Sequence, residues 1–276
     1  MQPGYDRALY AVRFGDRGGA ALDAQAAALV WSGIQQVGAA GSAADPTDLG
    51  VLVDGRTQQR LADAIPGESI QLVLPLSGGA AEFSLAPGDD FGAFVDRFSP
   101  RIAQVEVRWG PDLDPDAKKA QALELTRLSA WLHETDRVLL VDLEPTGPSA
   151  SDADRLDTWL KSVREVREVG IEADLWALPA PRDVEEAAAV AELVRDAGRD
   201  DVGVLVRDGT DATDHDVVAA LGRVAGVAGY RGFVLGPSIW SDALAQWRTG
   251  VLDDDAAATA IADRLRQAIA AATRVA

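Results

Sequence analysis

Eight short β-branched runs alternate with longer amphipathic ones along this chain, and that alternation limits its possible folds more than any other feature. The strand candidates are ALYAVRF (8–14), LGVLVD (49–54), SIQLVLP (69–75), IAQVEVRW (102–109), RVLLVDL (137–143), EADLWAL (172–178), DVGVLVR (201–207) and YRGFVLG (230–236). Helical patterns cover 20–37, 57–64, 91–98, 114–135, 152–166, 184–198, 215–226, 241–248 and 253–273, with apolar residues at i, i+3, i+4. Asp114-Pro115, Ser151-Asp152 and Ser241-Asp242 supply capping side chains at helix starts. Parallel strands cannot be joined by a tight hairpin, so strict alternation predicts helical crossovers between parallel strands. Eight such units in 276 residues predict an α/β fold: a (β/α)8 TIM barrel, one domain over residues 1–276. A doubly wound open sheet is the competing architecture, but no GxGxxG follows the first strand.

The inventory of side chains excludes several chemistries. The chain has no cysteine, so disulfides, thiolate nucleophiles and Cys-ligated metals are ruled out. Two histidines, His133 and His215, do not make a catalytic zinc site. His133 is expected to point outward near a helix end, and His215 to sit among acids at a helix start. The formal net charge of -18 repels phosphate backbones and anionic lipid, so neither nucleic acid nor membrane is an expected partner. The first residues, MQPGYDRALYAVRF, carry no long apolar run and no small-residue cleavage site. A cytoplasmic, acidic protein is expected.

If the chain is a barrel, its chemistry belongs at the C-terminal ends of the strands. Those ends offer Asp16 and Arg17 after strand 1, Asp54 and Arg56 after strand 2, and Ser77 after strand 3. On strand 4, alternation sets Gln104, Glu106 and Arg108 on one face. Asp142 and Glu144 share a face at strand 5, Trp176 ends strand 6 and Arg207 ends strand 7. Gly236 and Ser238 open a helix after strand 8, where backbone N–H groups can hold an anion. Asp142 is the best acid–base candidate, paired with Arg108. Asp16, Arg17, Glu106, Trp176, Arg207, Gly236 and Ser238 are candidate ligand-binding residues. No metal motif is present, although an all-oxygen Mg²⁺ site from Asp142, Glu144 or Asp16 is chemically possible. The three lysines, Lys118, Lys119 and Lys161, fall on predicted helices and not on strands.

The segments GYDRALY, LGVLVD, VEVRWGPDLDPDAKKAQALELTRLSAWLHETDR, GIEADLWALP, AGRDDVGVLVRDG and GYRGFVLGPSIWSDALAQWRTG together resemble the 2-deoxy-5-keto-6-phosphogluconate aldolase-like domain of myo-inositol breakdown. The likeness runs from Tyr5 to about Leu265, and more distantly the chain is similar to tagatose-bisphosphate aldolases. The resemblance implies a (β/α)8 barrel, class I aldol cleavage through a lysine Schiff base, and a phosphorylated keto-sugar. Departures fall where that chemistry belongs. Ala177 stands at the lysine position and Pro179 at the following acid, Gln104 replaces a strand-4 lysine, and Gly236-Pro237 replaces a phosphate-holding Gly-Arg. Arg17, Arg108, Arg207 and Asp142 persist.

Three readings follow. The chain is a diverged barrel that binds a sugar-phosphate or polyhydroxy-acid-like ligand without Schiff-base chemistry. Alternatively it is a lyase or isomerase using Asp142 and Arg108, or an interaction protein with a filled pocket. A small sugar-like or anionic ligand is the expected partner, with no resident cofactor; a homo-oligomer is compatible with the sequence.

Overall fold

The computed structural model describes residues 5–15, 21–39, 48–53, 59, 61, 65, 70–77, 83–85, 88–147, 152–208 and 214–273. Its strands are β1 (Leu9–Arg13), β2 (Leu49–Leu52), β3 (Gln71–Pro75), β4 (Ile102–Trp109), β5 (Val138–Pro145), β6 (Leu175–Pro179), β7 (Gly203–Arg207) and β8 (Tyr230–Leu235). They pair in parallel in sequence order, and β1 also pairs with β8, which closes the barrel. The helices among the described residues are α1 (Ala24–Ala39), α2 (Phe91–Phe98), α3 (Pro115–Glu134), α4 (Asp152–Glu168), α5 (Val184–Arg195), α6 (Asp214–Val224), α7 (Pro237–Arg248) and α8 (Asp254–Ala272). The open-sheet alternative is excluded. The helix expected over 57–64 lies largely outside the described residues, as do Asp54, Arg56 and Ser151.

Period-two alternation divides the strand side chains into two cores. Leu9, Ala11, Leu52, Val73, Ile102, Val138, Leu140, Leu175, Ala177, Leu205 and Val234 fill the barrel, with Tyr5 at its N-terminal end. Their chain neighbours, among them Tyr10, Val12, Val105, Val107, Val141, Trp176 and Phe233, pack outward against the helices. Each fully buried large apolar side chain contributes about 1.5–3 kcal/mol. Barrel closure depends on Gly232 in β8. Its φ is 137°, and a Cβ there would lie 2.1 Å from the carbonyl oxygen of Leu9 on β1.

Helix caps follow the sequence in part. The Asp114 carboxylate accepts from the N–H groups of Asp116 at 2.9 Å and Ala117 at 3.1 Å, starting α3. Asp183 and Asp253 cap α5 and α8 in the same way. The Ser241-Asp242 start is corrected: α7 begins four residues earlier, at Pro237, because proline is preset for the first helical position and a distant carboxylate meets the first N–H groups. Strand 5 is also longer than the pattern predicts. It runs to Pro145, which brings Glu144 into register with Arg108.

His133 does not point into solvent as its helix position suggests. Its Nε2 lies 3.0 Å from Asp174 Oδ2, and the same oxygen accepts from the Leu139 N–H at 2.8 Å. The contact ties the end of α3 to the N-terminal ends of β5 and β6. The hydrogen bond to Asp174 is the main cause of a His133 pKa raised above its ordinary 6.5; Coulombic attraction from Asp174 and Glu172 adds to it and burial opposes it. A raised folded-state pKa means that the charged pair stabilises the fold fully below about pH 6.5 and loses that contribution as pH rises through the folded value. The melting temperature of the wild type should therefore fall more steeply from pH 6 to pH 9 than that of His133→Gln. Parallel curves would refute this role.

Candidate functional site

At the C-terminal ends of the strands the inward positions change from apolar to charged. Continuing the alternation from Ala11, Ile102, Leu140 and Leu205 places Arg13, Gln104, Glu106, Arg108, Asp142, Glu144 and Arg207 at the top of the barrel interior. Asp142 is at its centre, 0% exposed. Its Oδ2 lies 2.5 Å from Arg13 Nη2, and its Oδ1 lies 3.0 Å from Arg207 Nε, at ion-pair distance without hydrogen-bond alignment. Arg13 Nη1 donates to Glu106, and Arg207 Nη2 donates to Glu144 Oε2 at 2.6 Å. The result is an alternating ladder: Glu106, Arg13, Asp142, Arg207, Glu144. Its middle is buried, while Glu106 and Glu144 are 28% and 36% exposed. Arg207 is further fixed by donating from Nη1 to the Asp208 carbonyl at 3.1 Å and from Nη2 to the Leu143 carbonyl at 3.3 Å. Backbone bonds aim the ladder: the Ser77 hydroxyl accepts from the Glu106 N–H at 2.8 Å, and Trp240 Nε1 on α7 donates to the Arg13 carbonyl at 3.0 Å.

Arg108 sits two residues beyond Glu106 and is exposed at the rim. Asp142 and Arg108, expected to act as a pair, are thus a layer apart, and Asp142 faces Arg13 and Arg207 instead. Below the ladder, Gln104 is 0% exposed, and neither atom of its amide has a hydrogen-bond partner among the described residues. Such a group costs about 1–3 kcal/mol unless a small polar molecule satisfies it.

Other expected residues fall elsewhere. Trp176 is corrected. Leu175 and Ala177 point into the barrel, so Trp176 points out, fully buried in the layer against the helices, where it packs and cannot stack on a ligand in the mouth. Gly236 and Ser238 do form the start of α7, but their donors are already engaged. Asp208 Oδ2 accepts from the Gly236 N–H at 2.9 Å, the Ser238 N–H at 3.4 Å and the Ser238 hydroxyl at 3.1 Å. Asp16 and Arg17 lie outside the described residues. The lysines stand on α3 and α4, where Lys118 pairs with Glu165 at 2.9 Å, so no lysine is on a barrel strand. Ala177 lies in register with Asp142 inside the barrel. Among the described residues no group of three or more His, Asp or Glu side chains is placed to hold a metal ion, and no helix is long and apolar enough to cross a membrane.

The sequence reading overlooked Arg13, which forms the β1 side of the ladder. The signal was present in ALYAVRF, where Leu9, Ala11 and Arg13 share a face. It also overlooked that the Asp208 carboxylate seals the helix start.

The sequence profile of a family described as "Uncharacterized protein conserved in bacteria (DUF2090)" matches residues 24–275. No curated protein matches the chain in sequence. Among solved structures, an archaeal fructose 1,6-bisphosphate aldolase is similar with a TM-score of 0.62 at 16% identity, over 94% of each chain. A Schiff base-forming fructose-1,6-bisphosphate aldolase gives 0.59 at 16%, over 93% of this chain and 94% of the other. A fructose-bisphosphate aldolase from Slackia heliotrinireducens DSM 20476 gives 0.58 at 14%, over 93% and 86%. At such identities the likeness is one of fold: an aldolase-like TIM barrel.

The ladder makes a stability prediction. Replacing Asp142 by Asn leaves two buried guanidiniums without their shared carboxylate and should cost about 3–5 kcal/mol. Replacing the part-exposed Glu144 by Gln should cost about 1 kcal/mol or less. Urea unfolding of both variants checks the contrast; equal losses would show that Asp142 is not the hub.

Proposed function

We propose that this chain, which belongs to the DUF2090 family, is a diverged aldolase-like barrel that binds a sugar-like acid or sugar phosphate at the mouth without forming a Schiff base. One observation carries the reading: the inward positions at the mouth hold guanidiniums and carboxylates, and no lysine stands on any strand. Schiff-base chemistry needs an amine in a desolvated pocket against the substrate carbonyl. Lys118, Lys119 and Lys161, on outer helices, cannot supply one. The sequence resemblance to the 2-deoxy-5-keto-6-phosphogluconate aldolase-like domain suggests the ligand class. On that resemblance Ala177 takes the place of the lost nucleophile.

Arg13 and Arg207 are buried and held by carboxylates, so the ladder meets a ligand through the part-exposed oxygens of Glu106 and Glu144, which suit hydroxyl donors of a polyhydroxylated ligand. Arg108 at the rim supplies a further cation, and Gln104 below offers both a donor and an acceptor. In this reading Asp142 is a positioning residue, since each of its oxygens already faces an arginine. That arrangement favours binding over a lyase or isomerase in which Asp142 takes a proton from substrate.

The test is a thermal-shift screen of sugar acids, keto-sugars and their phosphates, each with Mg²⁺ and with EDTA. A ligand at ~100 times its Kd adds roughly 2.7 kcal/mol of stability. Arg108→Ala should leave the unliganded melting temperature unchanged and weaken binding by about ten- to a hundredfold, the loss of one hydrogen bond to a charged group. No shift across the panel, or an undiminished shift in Arg108→Ala, would overturn the proposal.

A further inference from the structure

The loops after strands 7 and 8 and the start of the following helix are a recurrent phosphate position in barrels of this architecture. Here that position is filled from within. Asp208 directly follows β7, is 5% exposed, and directs one carboxylate oxygen at two backbone N–H groups and a hydroxyl at the start of α7. Those donors, on Gly236 and Ser238, are the ones that an incoming phosphate oxygen would use. Pro237 between them has no N–H to offer.

We infer that Asp208 is a built-in anion that closes this cup, and that the mouth selects an unphosphorylated polyhydroxy acid over its phosphate ester. The inference rests on the proposed ligand site and narrows its ligand class. A phosphate brought to the start of α7 would meet a buried carboxylate and find the donors engaged, so charge repulsion and lost hydrogen bonds act in the same direction. The acid group of an unphosphorylated ligand has another place to go, at Arg108 on the exposed rim of β4. Asp208 thereby acts as a specificity residue: it sets which end of a ligand may be anionic.

The test has two arms. In the first, inorganic phosphate is titrated against wild type, Asp208→Ala and Asp208→Gly, with the melting temperature as readout and chloride of equal ionic strength as control. Phosphate should stabilise the emptied cup of either variant and leave the wild type unmoved. Stabilisation of the wild type to the same extent, or of no variant that folds, would overturn the inference.

In the second arm, gluconate and 6-phosphogluconate are titrated calorimetrically against wild type and Asp208→Asn. Wild type should prefer gluconate by ~10-fold or more, corresponding to about 1.4 kcal/mol. Asp208→Asn keeps an acceptor oxygen for the same three donors but removes the charge, and should reduce that preference. Tighter binding of 6-phosphogluconate by wild type, or an unchanged preference in Asp208→Asn, would also overturn it. If neither sugar acid binds, the ligand class proposed above is the claim that fails; the phosphate arm decides the role of Asp208 independently.

Discussion

The mouth of this barrel depends on one buried carboxylate. Asp142 lies between Arg13 and Arg207 at the centre of the interior, and each arginine reaches on to a part-exposed glutamate. Removing Asp142 would leave two buried guanidiniums to share only the part-exposed glutamates at the ends of the ladder. The pairs lock β1, β4, β5 and β7 together at their C-terminal ends, where the apolar filling of the lower barrel has stopped. They also give the mouth its character. It is a row of carboxylates and guanidiniums in alternation, with the glutamates at its exposed ends.

The fold was almost fully legible in the sequence. Eight alternations predict a closed parallel barrel because each parallel pairing needs a crossover and each crossover helix needs a face to cover. The two-residue period on β4 likewise set Gln104, Glu106 and Arg108 on one face, and the closed barrel makes that face the inner one. The same rule, applied to β6, places Trp176 outward, and reading it as a ligand contact gave weight to its aromatic ring over its position in the pleat. Arg13 was passed over for the loop charges beside it, although it stands two residues beyond Ala11 on the same face.

What the pattern could not supply were pairings between residues far apart in the chain. Asp208 and the start of α7 are about thirty positions apart, and only the closing of β7 against β8 brings them together. The early start of α7 has the same cause: its cap comes from another element, so no local signal marks it. His133 is a similar case at the opposite end of the barrel, where its partner Asp174 lies 41 positions away.

The central claim is that ligands are held at this mouth by charge and hydrogen bonds, with no covalent bond to an amine. Borohydride reduction in the presence of a keto-sugar that raises the melting temperature, followed by intact mass measurement, tests it directly. The account predicts an unchanged protein mass despite saturating ligand. A mass gain equal to the reduced sugar, mapped to Lys118, Lys119 or Lys161, would contradict it.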